Sequence, residues 1–446
     1  MNKERLKMKI SRSLKRALVV SVSLALSVTA LTGCGADKSS DKELPSTDSD
    51  AKVKLEFWGW APGYEDAVKL WNTKHPETQV TFTQTPSTNE IYPKMFTAIK
   101  ANNAPCLAQI EYSSLPNFVI QQGVEDIAAL TKGMDKDFTE DGWKSVSIAD
   151  GVYGIPVDTA PIAFIYRKDL FDKYGLTVPK TWEEYKEMAK KVKNQDPSVS
   201  IGYYSNDANW FAALARQKGA KWFDLKDDSW SVSIDDKATM EVAEFWQSMI
   251  DEGLVSAQES YTPALYKQMA DDKILSEPFG IWDTAVIAQS VQGSSGKWAV
   301  APMPVWKDRP DTYVSAGGSA TTVLKGCKNA DRAIEFAHWM STDPEAVKLL
   351  ITKGGLWPAS LEGLQSPVLD EGVEFYGGQK IYEPFKEISR SIKLDWTWGP
   401  LQNQVNKDIV DFMPKVSKEK SIADTVTEIQ NRAVKDIKDK GLTVSN

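Results

Sequence analysis

The chain is 446 residues long and carries 53 Lys and Arg against 61 Asp and Glu, a formal net charge of −8. Residues 1–33 hold seven basic residues and one acid, so the remainder stands near −14; nucleic acid and anionic membrane surfaces, which need basic patches, are excluded as partners of the folded part. Beyond the N-terminal segments, about 390 residues are too many for one small core and suit two domains.

Lys3, Arg5, Lys7, Lys9, Arg12, Lys15 and Arg16 form a basic n-region, and the apolar stretch from Ala17 to Leu31 is too short for a membrane span. It ends at Leu31-Thr32-Gly33-Cys34, the residue order of a bacterial lipobox. Residues 1–33 therefore read as a lipoprotein signal peptide, with Cys34 as the lipidated first residue of the mature chain; an ordinary secretory signal with a chance cysteine is the plainer alternative. Several acyl chains hold a protein to a bilayer far better than one, so the expected location is extracytoplasmic, lipid-anchored to the cell membrane. Residues 34–51 are polar and lack apolar periodicity, which predicts a solvated tether.

Residues 54–58 predict a short strand, 59–63 a turn, and 64–72 a helix from the spacing of Ala67, Val68, Leu70 and Trp71. A strand over 79–83, a helix over 91–101 and a buried strand over 107–110 follow. Strands alternating with helices define an α/β domain with a largely parallel sheet. In 151–170, GVYGIPVDTAPIAFIYRKDL, Pro156, Asp158, Thr159 and Pro161 interrupt an apolar run. Asp158 can be read there as a catalytic acid, a turn cap or a ligand contact. Further on, Thr181 with Glu184 forms a capping-box pattern. Asp235 is expected to cap a helix running to Glu252, and Asp343-Pro344-Glu345 places proline at a first helical position.

No phosphate-cradling G-x-x-x-x-G-K-[ST] or G-x-G-x-x-G occurs, nor C-x-x-C or H-E-x-x-H. Of the two histidines, His75 precedes a proline and His338 sits in a helical stretch, so histidine–nucleophile catalysis is poorly supported. A glycosidase needs only two carboxylates, and with this many acids counting leaves that reading open. No cofactor, metal or catalytic residue is expected. Cys106 and Cys327 fall in an exported chain, where disulfides persist; two buried thiols are the alternative.

The 16 tryptophans are the unusual feature. Core packing is expected for about half of them. Trp58, Trp60, Trp210, Trp222, Trp282, Trp357, Trp396 and Trp398 fall at loops or element ends, where an exposed indole beside carboxylates suits the apolar face and hydroxyls of a sugar.

From about Lys52 onward the sequence resembles the extracellular solute-binding lipoproteins, family 1, that serve ABC importers of oligosaccharides, a maltose-binding-protein-like group. The resemblance rests on KLEFWGW…AVKLWNTKHPETQV, YGIPVDTAPIAFIYRKDLFDKYGLTVPKTWEEY, SAGGSATTVLKGCKNADRAIEFAHWMSTDPEA and GGLWPAS. It implies an α/β, two-lobed periplasmic-binding-protein-like (type II) fold, with a hinge and an interlobe ligand cleft. Lobe 1 would comprise 52–157 and 314–356, and lobe 2 158–313 and 357–446. The chain would cross between lobes at Pro156–Pro161, near Tyr313–Gly317 and near Leu356–Ala359, placing Asp158 at the hinge and in reach of the sugar.

By the same resemblance Trp60, Glu111 and Tyr112 line the cleft from lobe 1. Asn209 and Trp210 supply polar and aromatic contacts from lobe 2, and Trp282-Asp283 the usual stacking tryptophan. Gly317 and Gly318 allow close backbone approach, and Trp398 opens a late helix with aromatics. Cys106 departs from the family's usual Asp, and family topology brings it beside Cys327, which implies a disulfide. The implied function is capture of an oligosaccharide for an ABC permease and its ATPase, as a monomer and without catalysis. A non-sugar solute, a surface glycosidase and an adhesion lipoprotein are the competing readings.

Overall fold

A computed structural model describes residues 52–85, 88–227, 229–392, 396–417 and 420–445. The signal segment, Cys34 and the tether at 34–51 lie outside the described residues. No helix among the described residues is long and apolar enough to cross a membrane.

The main sheet contains β1 (Val53–Gly59), β2 (Thr78–Gln84), β3 (Leu107–Glu111), β4 (Ile155–Arg167), β5 (Ser276–Gly280), β6 (Trp298–Pro302), β7 (Ser315–Val323) and β8 (Trp357–Pro358). β1 pairs in parallel with β2 and β3, and β7 runs antiparallel to β3, Ser319 opposite Glu111 and Val323 opposite Leu107. β4 carries the connection to the rest of the molecule. Its first half pairs with β7 and β8, and its second half with β5 and β6.

β4 is one unbroken 13-residue strand, so the interruption expected at Pro156–Pro161 does not occur. The ladder shifts register between Ser315 and Gly318 and again between Ser319 and Ala320, and these irregularities lie opposite the proline-bearing stretch. A bulge removes the need for a regular donor at each position, which is how a sheet tolerates proline. The turn-cap reading of Asp158 falls with this.

Helices cover the sheet: α1 (Tyr64–Lys74), α2 (Thr88–Lys100), α3 (Trp182–Gln195), α4 (Ala208–Lys218), α5 (Lys237–Asp251), α6 (Asp283–Ser290), α7 (Pro344–Gly354), α8 (Gln402–Phe412) and α9 (Ile422–Asp439). Thr181 caps α3 by accepting from Glu184 N at 3.2 Å, but Glu184 Oε2 takes the Lys180 N–H at 2.7 Å, one residue before the box pattern places it. The cap of α5 is Asp236, not Asp235: its carboxylate accepts from Thr239 N at 2.8 Å, the N3 geometry that a residue one position earlier cannot reach. Asp343 caps α7 with Pro344 at N1, as the sequence implies.

Apolar side chains gather on both faces of the β1–β3 sheet: Leu55, Phe57, Trp71 and Phe336 on one, Met95, Ile110, Phe118 and Leu324 on the other. Separate clusters form around Phe164, Trp182, Trp246 and Val426, and around Ile165, Trp298, Trp357 and Phe385. Trp210, Trp222 and Trp357 are at most 1% exposed. These three belong to the core, where each buried side chain of this size contributes about 2–3 kcal/mol.

Because β7 is antiparallel to β3, the start of β3 meets the end of β7. Cys106 and Cys327 are paired there, with Cα atoms 4.7 Å apart, within the span a disulfide bridges.

Candidate functional site

β3 alternates its side chains, so Gln109 and Glu111 share one side while Ala108 and Ile110 enter the core. Gln109 is 2% exposed and links three segments. Its Oε1 accepts from Trp60 N (3.0 Å) and Ala61 N (3.2 Å), and its Nε2 donates to Ser319 Oγ (3.0 Å). Ser319 in turn donates to Asp158 Oδ1 from N (2.9 Å) and from Oγ (2.7 Å). The loop after β1 is thereby tied through β3 to the two long crossing strands. Burial pushes the Asp158 carboxyl up to about 7, even though both Ser319 hydrogen bonds favour its charged form. Gly318, at φ +136°, lies so close that a Cβ would meet Asp158 O at 2.3 Å and the Tyr112 ring at 2.8 Å; only glycine permits that approach.

Glu111 ends β3. It accepts from Asn209 Nδ2 at 3.0 Å, a residue of α4 on the far side of the crossing, and Tyr92 OH stands 3.4 Å from its other oxygen. Burial first, then the negative charge of Asp207, pushes its carboxyl up to about 8. Asn406 Nδ2 reaches Ser113 Oγ at 3.4 Å, and Arg216 donates to Ser315 O, so the two halves touch at two further points besides Glu111–Asn209. Trp60 is half-buried and packs edge-on to Tyr92, centroids 6.2 Å apart.

Asp207 caps α4 by accepting from Trp210 N at 2.8 Å, and burial raises its carboxyl. Trp282, between β5 and α6, is half-buried with its ring laid against Gly280, where any Cβ would strike the indole at 2.0 Å. Its Nε1 donates to Tyr261 OH at 3.1 Å, and Tyr261 is 45% exposed. Beneath it, Glu277 of β5 accepts from Tyr203 OH, and Asp283 opens α6. Asp283 is held well above the usual carboxylate range, by burial and then by the charge of Glu277; Glu277 is raised chiefly by burial.

Tyr112, Gly317 and Trp398 line a groove of about 1940 Å³, together with Thr159, Arg216 and Trp396. Its walls come from both halves of the molecule and its floor from the crossing strands. Arg216 stacks over the Trp396 ring at 5.7 Å, and Trp396 meets Trp398 edge-on at 5.7 Å.

The expected site residues thus divide. Glu111, Asp158, Asn209 and Gly318 meet at the crossing, with Trp60 beside them; Trp282 and Asp283 form a second group joined to it through Asp207; Tyr112, Gly317 and Trp398 face the groove. Trp210 is not a platform: it is 1% exposed, donates Nε1 to Pro278 O at 2.6 Å and packs on Tyr204 and Trp246. It stands three residues after the cap Asp207, on the face of α4 that packs inward. Sequence reasoning missed Gln109, Ser319, Asp207 and Glu277. Asp207 alone left a local signal, an N-cap carboxylate three residues ahead of a helical tryptophan.

Both histidines serve elsewhere, around a hollow of about 420 Å³: His75 stacks on Trp71 at 3.6 Å and His338 Nε2 pairs with Asp137 at 2.9 Å. Among the described residues no three His, Cys, Asp or Glu side chains are gathered as a metal would require. What remains is chemistry for holding a solute: buried carboxylate acceptors, half-buried indoles, and contacts that join two halves around a shared set of crossing strands.

That arrangement defines a two-lobed α/β binding protein whose site lies between its lobes. The chain belongs to the bacterial extracellular solute-binding proteins, whose family profile matches residues 66–375. It is 24% identical over 389 residues to the arabinooligosaccharide-binding protein of Halalkalibacterium halodurans, covering 83% of this chain and 84% of the relative. It is 23% identical to the lactose-binding protein of Rhizobium radiobacter, covering 96% and 99%. Among solved structures it resembles the ABC-transporter-associated binding protein of B. animalis subsp. lactis in complex with β-1,6-galactobiose (TM-score 0.81, 26% identity, 88% and 99% covered). It also resembles the galacto-N-biose/lacto-N-biose I-binding protein of Bifidobacterium longum (TM-score 0.80, 27% identity, 90% and 100% covered). The family and these relatives are binding proteins rather than enzymes.

Proposed function

We propose that the chain is the lipid-anchored, extracytoplasmic receptor of an ABC importer, capturing an oligosaccharide between its lobes and delivering it intact to the permease and its ATPase. The names of the relatives support a carbohydrate. The observation that carries the reading is the Glu111–Asn209 contact, made across the crossing strands beside Trp60 and Asp158. Residues 52–157 and 314–356 act as lobe 1, and 158–313 and 357–446 as lobe 2. Closing the lobes excludes water and lets groups from both act on one ligand.

Trp60, Glu111, Tyr112, Asp158, Asn209, Trp282, Asp283, Gly317, Gly318 and Trp398 form the contact set, with Cys34 as the lipid-bearing residue. The groove exceeds the roughly 300–1,000 Å³ of a drug-sized site, which favours several sugar units. The test is calorimetric titration of residues 52–446 with plant and host oligosaccharides, each mixture then checked for hydrolysis. Tight binding with intact ligand supports the proposal; a cleaved ligand replaces it with a glycosidase, and silence across the panel with a non-sugar solute.

A further inference from the structure

Glu111 and Asn209 meet from opposite halves of the molecule, and their contact is unevenly satisfied. Asn209 Nδ2 donates to Glu111 Oε1 at 3.0 Å. The amide's other polar atom, Oδ1, is buried and has no donor among the described residues. A buried acceptor left without a donor is costly. The side chain already bonded to this amide is Glu111. Ionised, its carboxylate only accepts; protonated, it also donates. Carboxylic acid and carboxamide then exchange two hydrogen bonds, N–H to one carboxyl oxygen and O–H to the amide oxygen. Turned over, the amide would set Oδ1 against Oε1 and require the proton outright.

The surroundings point the same way. Tyr92 of α2 donates to Oε2 at 3.4 Å and accepts from Glu111 N at 3.0 Å. Asp207 faces Glu111 from the start of α4, and Asp158 faces it from β4. Among the described residues no lysine, arginine or histidine forms an ion pair with any of these three carboxylates. Asp158 is bonded to Ser319 within the crossing strands, and Asp207 caps its own helix. Glu111 is the one of the three whose partner lies in the other half.

We propose that Glu111 and Asn209 form a proton-operated latch: the lobes close as Glu111 gains a proton and part as it loses it. The inference rests on the lobe closure proposed above, and not on which ligand is captured. With the lobes apart, Glu111 faces water and titrates near its ordinary 4.5; in contact, burial and then the charge of Asp207 hold it at about 8. The closed form binds the proton more tightly. Closure is therefore strongest at low pH, weakens as pH rises between these two values, and is weakest above about 8. Capture near neutrality takes up a proton.

The test is small-angle scattering of the purified, ligand-free chain at half-unit intervals from pH 5 to 9.5, read as a radius of gyration. Circular dichroism run alongside separates lobe opening from unfolding. Wild type should be compact at the acid end and extend as pH passes about 8. Glu111→Gln, whose amide offers Asn209 a donor and an acceptor without a charge, should stay compact throughout. Asn209→Asp, which sets a further carboxylate against Glu111, should extend at least about one pH unit below wild type. A wild-type radius that does not change with pH overturns the inference. So does a Glu111→Gln protein that opens with the wild-type profile, or an Asn209→Asp protein that opens at the wild-type pH. Oligosaccharide binding without a pH-driven change of shape removes the latch and leaves the receptor reading standing; a pH-driven change with no carbohydrate bound keeps the latch and removes the sugar.

Discussion

Asp158→Asn is expected to stabilise the protein at alkaline pH. The carboxyl is 5% exposed and is pushed from its ordinary 3.8 up to about 7 by burial. A folded-state value above the unfolded one means that the folded protein binds the proton more tightly. Stability from this group is therefore fully present below about pH 4 and is lost as pH rises through about 7. The rise corresponds to roughly 4 kcal/mol of penalty once the group is charged. Asparagine keeps an acceptor oxygen for Ser319 N and Oγ and carries no charge, but its amide brings donors that need partners, so the expected gain at pH 8 is about 2–4 kcal/mol. The assay is urea unfolding of wild type and variant at half-unit intervals from pH 4 to 8.5. The two should coincide near pH 4 and separate steadily through pH 7. A wild type more stable than the variant at pH 8, or a difference that does not change with pH, refutes the account of Asp158 as a carboxylate held against its own desolvation.

Replacing Cys106 and Cys327 by serine should destabilise the chain by about 3–5 kcal/mol, since the bridge closes a separation of 221 residues, and it should lower the guanidinium midpoint. Thiol labelling of unreduced, denatured protein that modifies both cysteines removes the basis for this. Trp282→Ala should cost about ten- to a hundredfold in affinity with little change in melting temperature. Trp210→Ala should instead cost about 3–5 kcal/mol of stability, because its ring fills the core; titration and melting curves run side by side separate the two. Gly318→Ala should destabilise by about 1–3 kcal/mol or more, through its φ of +136° and the clash with Asp158 O, with a midpoint shift in urea as the readout.

Much of lobe-level structure was readable along the chain because its signals are local. The alternation through β1, α1, β2, α2 and β3 follows from periodicity, and Thr181 and Asp343 announce their helices by capping chemistry. Where local signals compete, the reading slipped. Asp235 and Asp236 are both capping residues, and only backbone geometry selects Asp236. Pro156 and Pro161 look like breaks, yet β7 bulges opposite them and β4 runs on.

The aromatics divide on the same ground. A tryptophan near an element end carries no sign of which way it faces: Trp282 stays at the surface because Gly280 lets its ring lie flat, while Trp210 turns into the core three residues after its cap.

By itself the sequence determined the fold class, the export signal as an expectation, and the presence of carboxylates and indoles suited to holding a solute. Only the tertiary structure decided which of them meet. Gln109, Ser319 and Asp158 are up to 210 residues apart and are joined by side-chain hydrogen bonds. Glu111 finds Asn209 across 98 residues, and Glu277 lies beside Asp283 only because β5 and α6 turn back on each other. Burial and charge proximity, which raise these carboxyls, are properties of the packed molecule. They depend on what has been removed from around each group, and no residue carries that information in its own neighbours along the chain.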